Sequence, residues 1–166
     1  MEKMQTQKSE NELLVSNLTQ LLSKGNAHAT LDDALKKIPY KLLAETPADL
    51  PYNIWQIAQH IRISQWDILE FSRNPKYKSP EWPKGYWPSE REPASEEAWK
   101  KCVHQIKEDR NTFIELIKNA GENLYKPIPG GDGQTLFREA LVLADHNSYH
   151  TAEIIVLRRL LNDWKK

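Results

Sequence analysis

Apolar residues recur every three or four positions along four long stretches of the chain, while strand-like alternation is scarce. The first stretch predicts a helix from Ser9 to Lys24, with Leu14, Leu18, Leu21 and Leu22 on one face and Gly25-Asn26 as its stop. The second runs from Asn53 to Arg73, entered through Pro51 and ended by Asn74-Pro75. The third, Ser95 to Ala120, opens on an N-cap serine with Glu96 and Glu97 in the first turn. It closes before Gly121 and buries Trp99, Val103, Ile106, Phe113 and Ile117. The fourth runs from Thr135 to Asp163. A shorter helix is expected from Thr30, where Thr30-Leu31-Asp32-Asp33 resembles a capping box, towards Pro39. Its Leu31, Ala34, Leu35 and Ile38 suit a lid over one end of a bundle. The expected fold is all-α, in one domain spanning 1–166.

The segment from Pro75 to Pro93 holds half of the prolines together with Tyr77, Trp82, Tyr86 and Trp87. A connection of that length lets two successive helices run parallel rather than up and down. Its aromatic side chains are expected to pin the loop to the bundle. Gly130-Gly131-Asp132-Gly133 is a turn into the last helix. It is no phosphate loop, because the Walker spacing and its lysine are missing.

Two of the apolar stripes are interrupted by histidine. On the last helix the inward positions read Leu143, His146, His150, Ile154, Leu157, Leu161. Residues four apart share a helical face, so His146 and His150 stand one turn apart in line with core residues. An unmet polar atom in a core costs about 1–3 kcal/mol, and two imidazoles in one stripe call for a common partner such as a metal ion. On the second helix the stripe reads Ile57, His60, Ile61, Ser64, Ile68, Phe71, again with one histidine. His28 falls in a loop and His104 off the apolar stripe, where ordinary surface or capping roles are expected.

Composition narrows the function. Lysine plus arginine number 23, as do aspartate plus glutamate, for a formal net charge of zero. A nucleic-acid or anionic-membrane partner is therefore not expected, since either needs a cationic face. Cys102 is the single cysteine, which rules out an intrachain disulfide and any cysteine-built zinc site. Met1 to Thr6 carry no apolar leader core and no run approaches a membrane span, so a soluble cytoplasmic protein is expected. No Glu-x-x-His, His-Glu-x-x-His or Gly-x-Ser-x-Gly occurs, which argues against di-iron bundles, zincin proteases and serine hydrolases. Cys102 and His104 lie two residues apart on a helix and do not face each other.

With His60 in a Trp55-x-x-x-x-His60-Ile61 setting, and His146-x-x-x-His150 followed by Glu153-Ile154-Ile155-Val156-Leu157-Arg158-Arg159, the chain resembles the DinB/YfiT-like superfamily of metal-dependent four-helix bundles. The resemblance spans nearly the whole chain and implies an up-down-down-up topology with a long crossover. It implies His60, His146 and His150 as ligands of a divalent metal ion, zinc or nickel, and a homodimer. It also implies a small-molecule substrate, with hydrolysis or thiol-dependent transfer as the reaction. In the latter case the partner would be a low-molecular-weight thiol such as mycothiol or bacillithiol. The family name implies no DNA chemistry. An ion held by three neutral imidazoles keeps its charge and an open position, as catalytic zinc does. A non-enzymatic bundle with a structural metal is the alternative. Glu153, one turn beyond His150, is placed to orient a ligand, to act as a catalytic base, or to pair with a neighbouring basic side chain. Gln56, Ser64 and Tyr149 are weaker candidates for supporting the site.

Overall fold

The computed structural model describes residues 9–164, so the expectation attached to Met1–Thr6 lies outside the described residues. It contains helices α1 (Glu10–Lys24), α2 (Leu31–Leu35), α3 (Ile54–Arg73), α4 (Glu96–Lys118) and α5 (Leu136–Leu160). Among the described residues there is no strand beyond one isolated bridge between Pro127 and Thr135. None of the helices is long and apolar enough to cross a membrane.

Side-chain caps set the starts. Ser9, Thr30 and Asn53 form reciprocal capping boxes with Glu12, Asp33 and Gln56, and the side chains of Ser95 and Thr135 cap α4 and α5. Three ends come earlier than periodicity predicts. α2 stops at Leu35 because Lys36 is extended and Lys37 adopts a φ of 55°. α4 stops at Lys118, where the Asn119 N–H turns back to the carbonyls of Glu115 and Ile117 and a 3-10 turn follows over Gly121–Tyr125. α5 stops at Leu160. Asn162 then adopts a φ of 58°, and the Arg158 Nε donates to Asp163 Oδ2 at 2.7 Å.

Contacts between the helices give their directions. The N-terminal halves of α3 and α4 share one apolar cluster (Ile54, Ile57, Ile61 with Trp99 and Ile106) with the C-terminal half of α5 (Ile154, Leu157). Their C-terminal halves share a second cluster (Leu69 with Phe113 and Ile117) with Leu18 and Leu22 of α1 and the start of α5 (Leu136, Leu143). Hence α3 and α4 run parallel and α5 opposes them. Asn11 near the start of α1 accepts a hydrogen bond from Tyr125, past the end of α4, so α1 also opposes α4. The bundle is up-down-down-up. α1, at 15 residues, reaches about 22 Å, against about 37 Å for the 25-residue α5. α2 completes the missing length, with Leu31, Ala34 and Leu35 buried in the first cluster at one end of the bundle.

The parallel pair requires the connection 74–95 to travel the length of α3, and its contacts follow that path. Tyr77 packs edge-on against Trp66, the Tyr86 hydroxyl donates to Asp67, Trp87 lies on His60, and the Arg91 carbonyl accepts from Asn53. Tyr77, Tyr86 and Trp87 thus pin it to the bundle, whereas Trp82 is 69% exposed and packs on Tyr86 within the loop.

A polar layer separates the two apolar clusters. Gln65, wholly buried, donates to the Ile106 carbonyl and accepts from Asn147 Nδ2 at 3.0 Å. Arg110, 4% exposed, reaches both carboxylate oxygens of Asp32 at 2.8 and 2.9 Å. The helices are therefore not amphipathic in the simple sense at mid-height. Most of their polar groups there are matched across the interfaces, with Asp109 Oδ2, Arg110 Nε and Asn147 Oδ1 left as buried atoms without a hydrogen-bond partner.

Candidate metal centre

His60 lies on the buried face of α3, and His146 and His150 on α5 directly across from it. His60 and His150 are 3% and 6% exposed, and His146 is half-buried. One ring nitrogen from each of the three lies within 4.8 Å of the others. The Nε2 atoms of His60 and His146 are 3.0 Å apart, and the ring centroids of the three pairs are separated by 4.5–4.9 Å. Among the described residues this is the one group of three or more histidine, cysteine or carboxylate side chains so arranged.

Hydrogen bonds at the far side of two rings settle which nitrogen carries the lone pair. His60 Nδ1 sits 2.9 Å from the Tyr86 carbonyl oxygen. A carbonyl can only accept, so Nδ1 holds the hydrogen and Nε2 is free as a donor atom to a metal. His150 Nδ1 sits 2.6 Å from Glu153 Oε2, and the same reasoning puts a hydrogen on Nδ1 and leaves Nε2 as the nitrogen available to a metal. Burial depresses the basicity of His60 and of His146, the latter to about 4, with the neighbouring histidines adding to the effect at His146. Neutral rings at pH 7 are the form that binds metal.

The donor set fits a divalent ion. A zinc–nitrogen bond of about 2.0–2.1 Å puts tetrahedral nitrogens about 3.4 Å apart. The His60–His146 nitrogens, at 3.0 Å, are close to that spacing and no pair of the three exceeds 4.8 Å, so small side-chain rotations would bring them to a common point. Without a cation or a shared proton, two imidazole nitrogens at 3.0 Å face each other lone pair to lone pair. The three histidines could therefore hold a metal ion.

Around them stands a supporting layer. Glu153 uses both oxygens, Oε2 with His150 and Oε1 as acceptor of the Tyr52 hydroxyl at 2.5 Å. That bond is the main reason the Tyr52 phenol is pushed up to about 12, with burial second. Trp87 lies parallel to His60 with centroids 4.1 Å apart and planes 3° from coplanar, and Tyr52 stacks on the outer side of Trp87 at 5.7 Å. Tyr86, whose backbone fixes His60, is itself held by its hydroxyl on Asp67 Oδ2 at 2.7 Å.

Of the weaker candidates, Ser64 is buried one turn beyond His60, and Tyr149 is 63% exposed with its ring edge-on to His150. Gln56 serves the Asn53 capping box. His28 and His104 are exposed, with His28 hydrogen-bonded to the Ala29 carbonyl and Ser148. Cys102 is buried and its thiol is pushed up to about 12 by desolvation, far from nucleophilic. Tyr52 and the Tyr86 carbonyl carry no signal in the sequence. Tyr52 precedes the α3 N-cap, outside any periodic stripe, and a main-chain carbonyl has no residue signature.

No curated protein and no solved structure matches the chain. The family model described as the DinB superfamily matches residues 26–154, a span that holds α2 to α4, most of α5 and all three histidines. The chain belongs to the DinB superfamily.

Proposed function

We propose that this protein is a metal-dependent enzyme acting on a small molecule, with His60, His146 and His150 as the ligands of one divalent ion, zinc or nickel. The observation that carries the reading is the convergence of three imidazole side chains with no carboxylate or thiolate among them. An ion so held would retain its full charge, lowering the pKa of bound water to about 7 or stabilising a bound thiolate. Hydrolysis and thiol transfer both follow from that chemistry.

The chain's own residues have definable tasks. The Tyr86 carbonyl and Glu153 hold the Nδ1 protons of His60 and His150 and so fix the ring orientations. Trp87 shields one face of His60 from water. With both oxygens engaged, Glu153 is suited to positioning His150 rather than to taking a proton from substrate. Elemental analysis of protein purified without an affinity tag should find about one ion per chain. A panel of esters, amides and thiol acceptors, the last with mycothiol or bacillithiol, tests for activity. Turnover that survives replacement of all three histidines by alanine would overturn the proposal.

A second reading, the ion as a staple, draws on the same clamp. His60 ties α3 to the crossover through Tyr86 and Trp87, so an ion would bind α3, α5 and the loop together. Cobalt-substituted protein separates the two. A visible spectrum that responds to azide or a thiol marks an open position, and one that does not marks a staple.

A further inference from the structure

A cavity of about 310 Å³ lies on the side of α5 away from the histidines, between α1, the α1–α2 loop and α5. Ser148 is two residues beyond His146, hence about 200° around the helix axis. Its apolar wall is formed by Leu21, Leu22 and Leu141, of which Leu21 and Leu141 are large apolar side chains 38% and 44% exposed.

The polar atoms of the lining are almost all acceptors. The hydroxyl hydrogens of Ser23, Ser148 and Thr151 are already directed to the Thr19 carbonyl, His28 Nε2 and the Asn147 carbonyl, which leaves oxygen lone pairs. His28 Nε2 accepts because its Nδ1 hydrogen lies on the Ala29 carbonyl. Asn147, 9% exposed, spends its Nδ2 on Gln65 and offers the cavity no donor there. Among the described residues no cation pairs with the Asp145 carboxylate at the rim, and the charge of Arg110 is neutralised by Asp32. The exception is Arg110, whose Nη2 is held by Asp32 while its Nη1 and its buried Nε have no hydrogen-bond partner among the described residues.

An acceptor-rich, net negative chamber with leucines at its mouth is complementary to a donor-rich cation carrying an apolar body. We infer that this cavity is a second ligand site, distinct from the histidine centre, that takes a small protonated amine with a compact apolar group. Asp145 and Ser148 receive the ammonium, and Leu21, Leu22 and Leu141 receive the apolar body.

The probe is phenethylamine, titrated into ¹⁵N-labelled full-length protein and compared with 3-phenylpropionate and 2-phenylethanol. Amide shifts are expected at Leu21, Gly25, Ala144 and Ser148 with the amine and not with the carboxylate. Asp145→Asn should weaken amine binding about fivefold, the effect of losing one partly exposed ion pair. Ala144→Leu, which fills the cavity, should abolish it while leaving the melting temperature within a few degrees of the parent. The inference would be overturned by no saturable shift, by shifts centred on His60 and Tyr86, or by equal binding of amine and carboxylate. A neutral outcome at Asp145→Asn would do so as well.

Discussion

Replacing Glu153 separates its charge from its hydrogen bonds. Its Oε2 accepts from His150 Nδ1 at 2.6 Å and its Oε1 from the Tyr52 hydroxyl at 2.5 Å, with the carboxylate 18% exposed. In Glu153→Gln the amide oxygen can keep His150, while the tyrosine hydroxyl rotates to accept from the new NH₂. The geometry survives and only charge assistance is lost. A hydrogen bond to a charged group contributes about 1.5–3 kcal/mol and a neutral one about 0.5–1.5, so the change is about 1 kcal/mol. That corresponds to roughly fivefold weaker metal binding. In Glu153→Ala nothing holds the His150 ring or its tautomer, and the loss should reach 10–100-fold, as for other outer-layer partners of metal-bound histidine. Zinc competition against a chromophoric chelator, on protein whose helix content is checked by circular dichroism, reads both. The expected order of affinity is parent, Gln, Ala. Equal affinity of parent and Glu153→Ala, or Gln binding more weakly than Ala, would refute the assignment of Glu153 as the residue that orients His150.

Asp32→Asn removes the counter-charge from buried Arg110. Because Asp32 is 47% exposed and water can approach, the cost should fall below that of a fully buried pair, at about 1–2 kcal/mol, lowering Tm by roughly 3–6 °C in a calorimetric scan. An unchanged Tm would show the pair to be inert. Phe113→Ala empties a side chain with no exposure at the centre of the second apolar cluster and should cost about 3–5 kcal/mol in urea denaturation. A loss below about 1 kcal/mol would mean that the cluster collapses around the gap. Cys102, pushed up to about 12, stays a thiol in the folded protein. Its raised value stabilises the fold fully below an unfolded pKa of about 8.5, and that contribution fades as pH climbs towards 12. Iodoacetamide at pH 8.5 should therefore label Cys102 in the denatured chain and spare it in the native one, as read by intact mass. Equal labelling rates would refute the burial.

The helices and the histidines were legible because both obey a period. His60, His146 and His150 interrupt apolar stripes, and the caps at Ser9, Thr30, Asn53, Ser95 and Thr135 have short-range signatures. What escaped depends on tertiary contact. Leu21 shares the α1 stripe yet is 38% exposed, because α1 faces a cavity there rather than a neighbour. Tyr52 meets Glu153 across 101 positions of sequence. Trp87 was legible as an aromatic that anchors the loop, but not as the plane lying on His60, since a loop carries no periodicity to aim it. Gln65 and Arg110 look like solvent-facing residues until their partners Asn147 and Asp32 are brought opposite them.

The pairing of Gln65 with Asn147 has a consequence for how the bundle finds its alignment. His146 and His150 repeat at the helical spacing itself. If α5 slid by one turn, about 5.4 Å, one histidine would take the place of the other and still confront His60. The imidazoles alone leave that ambiguity open. Gln65 removes it: after such a slip its carboxamide would meet either the hydrocarbon of Leu143 or the Thr151 hydroxyl, already committed to the Asn147 carbonyl. A single amide pair thus acts as the detent that locks the two helices at the one setting where all three rings meet.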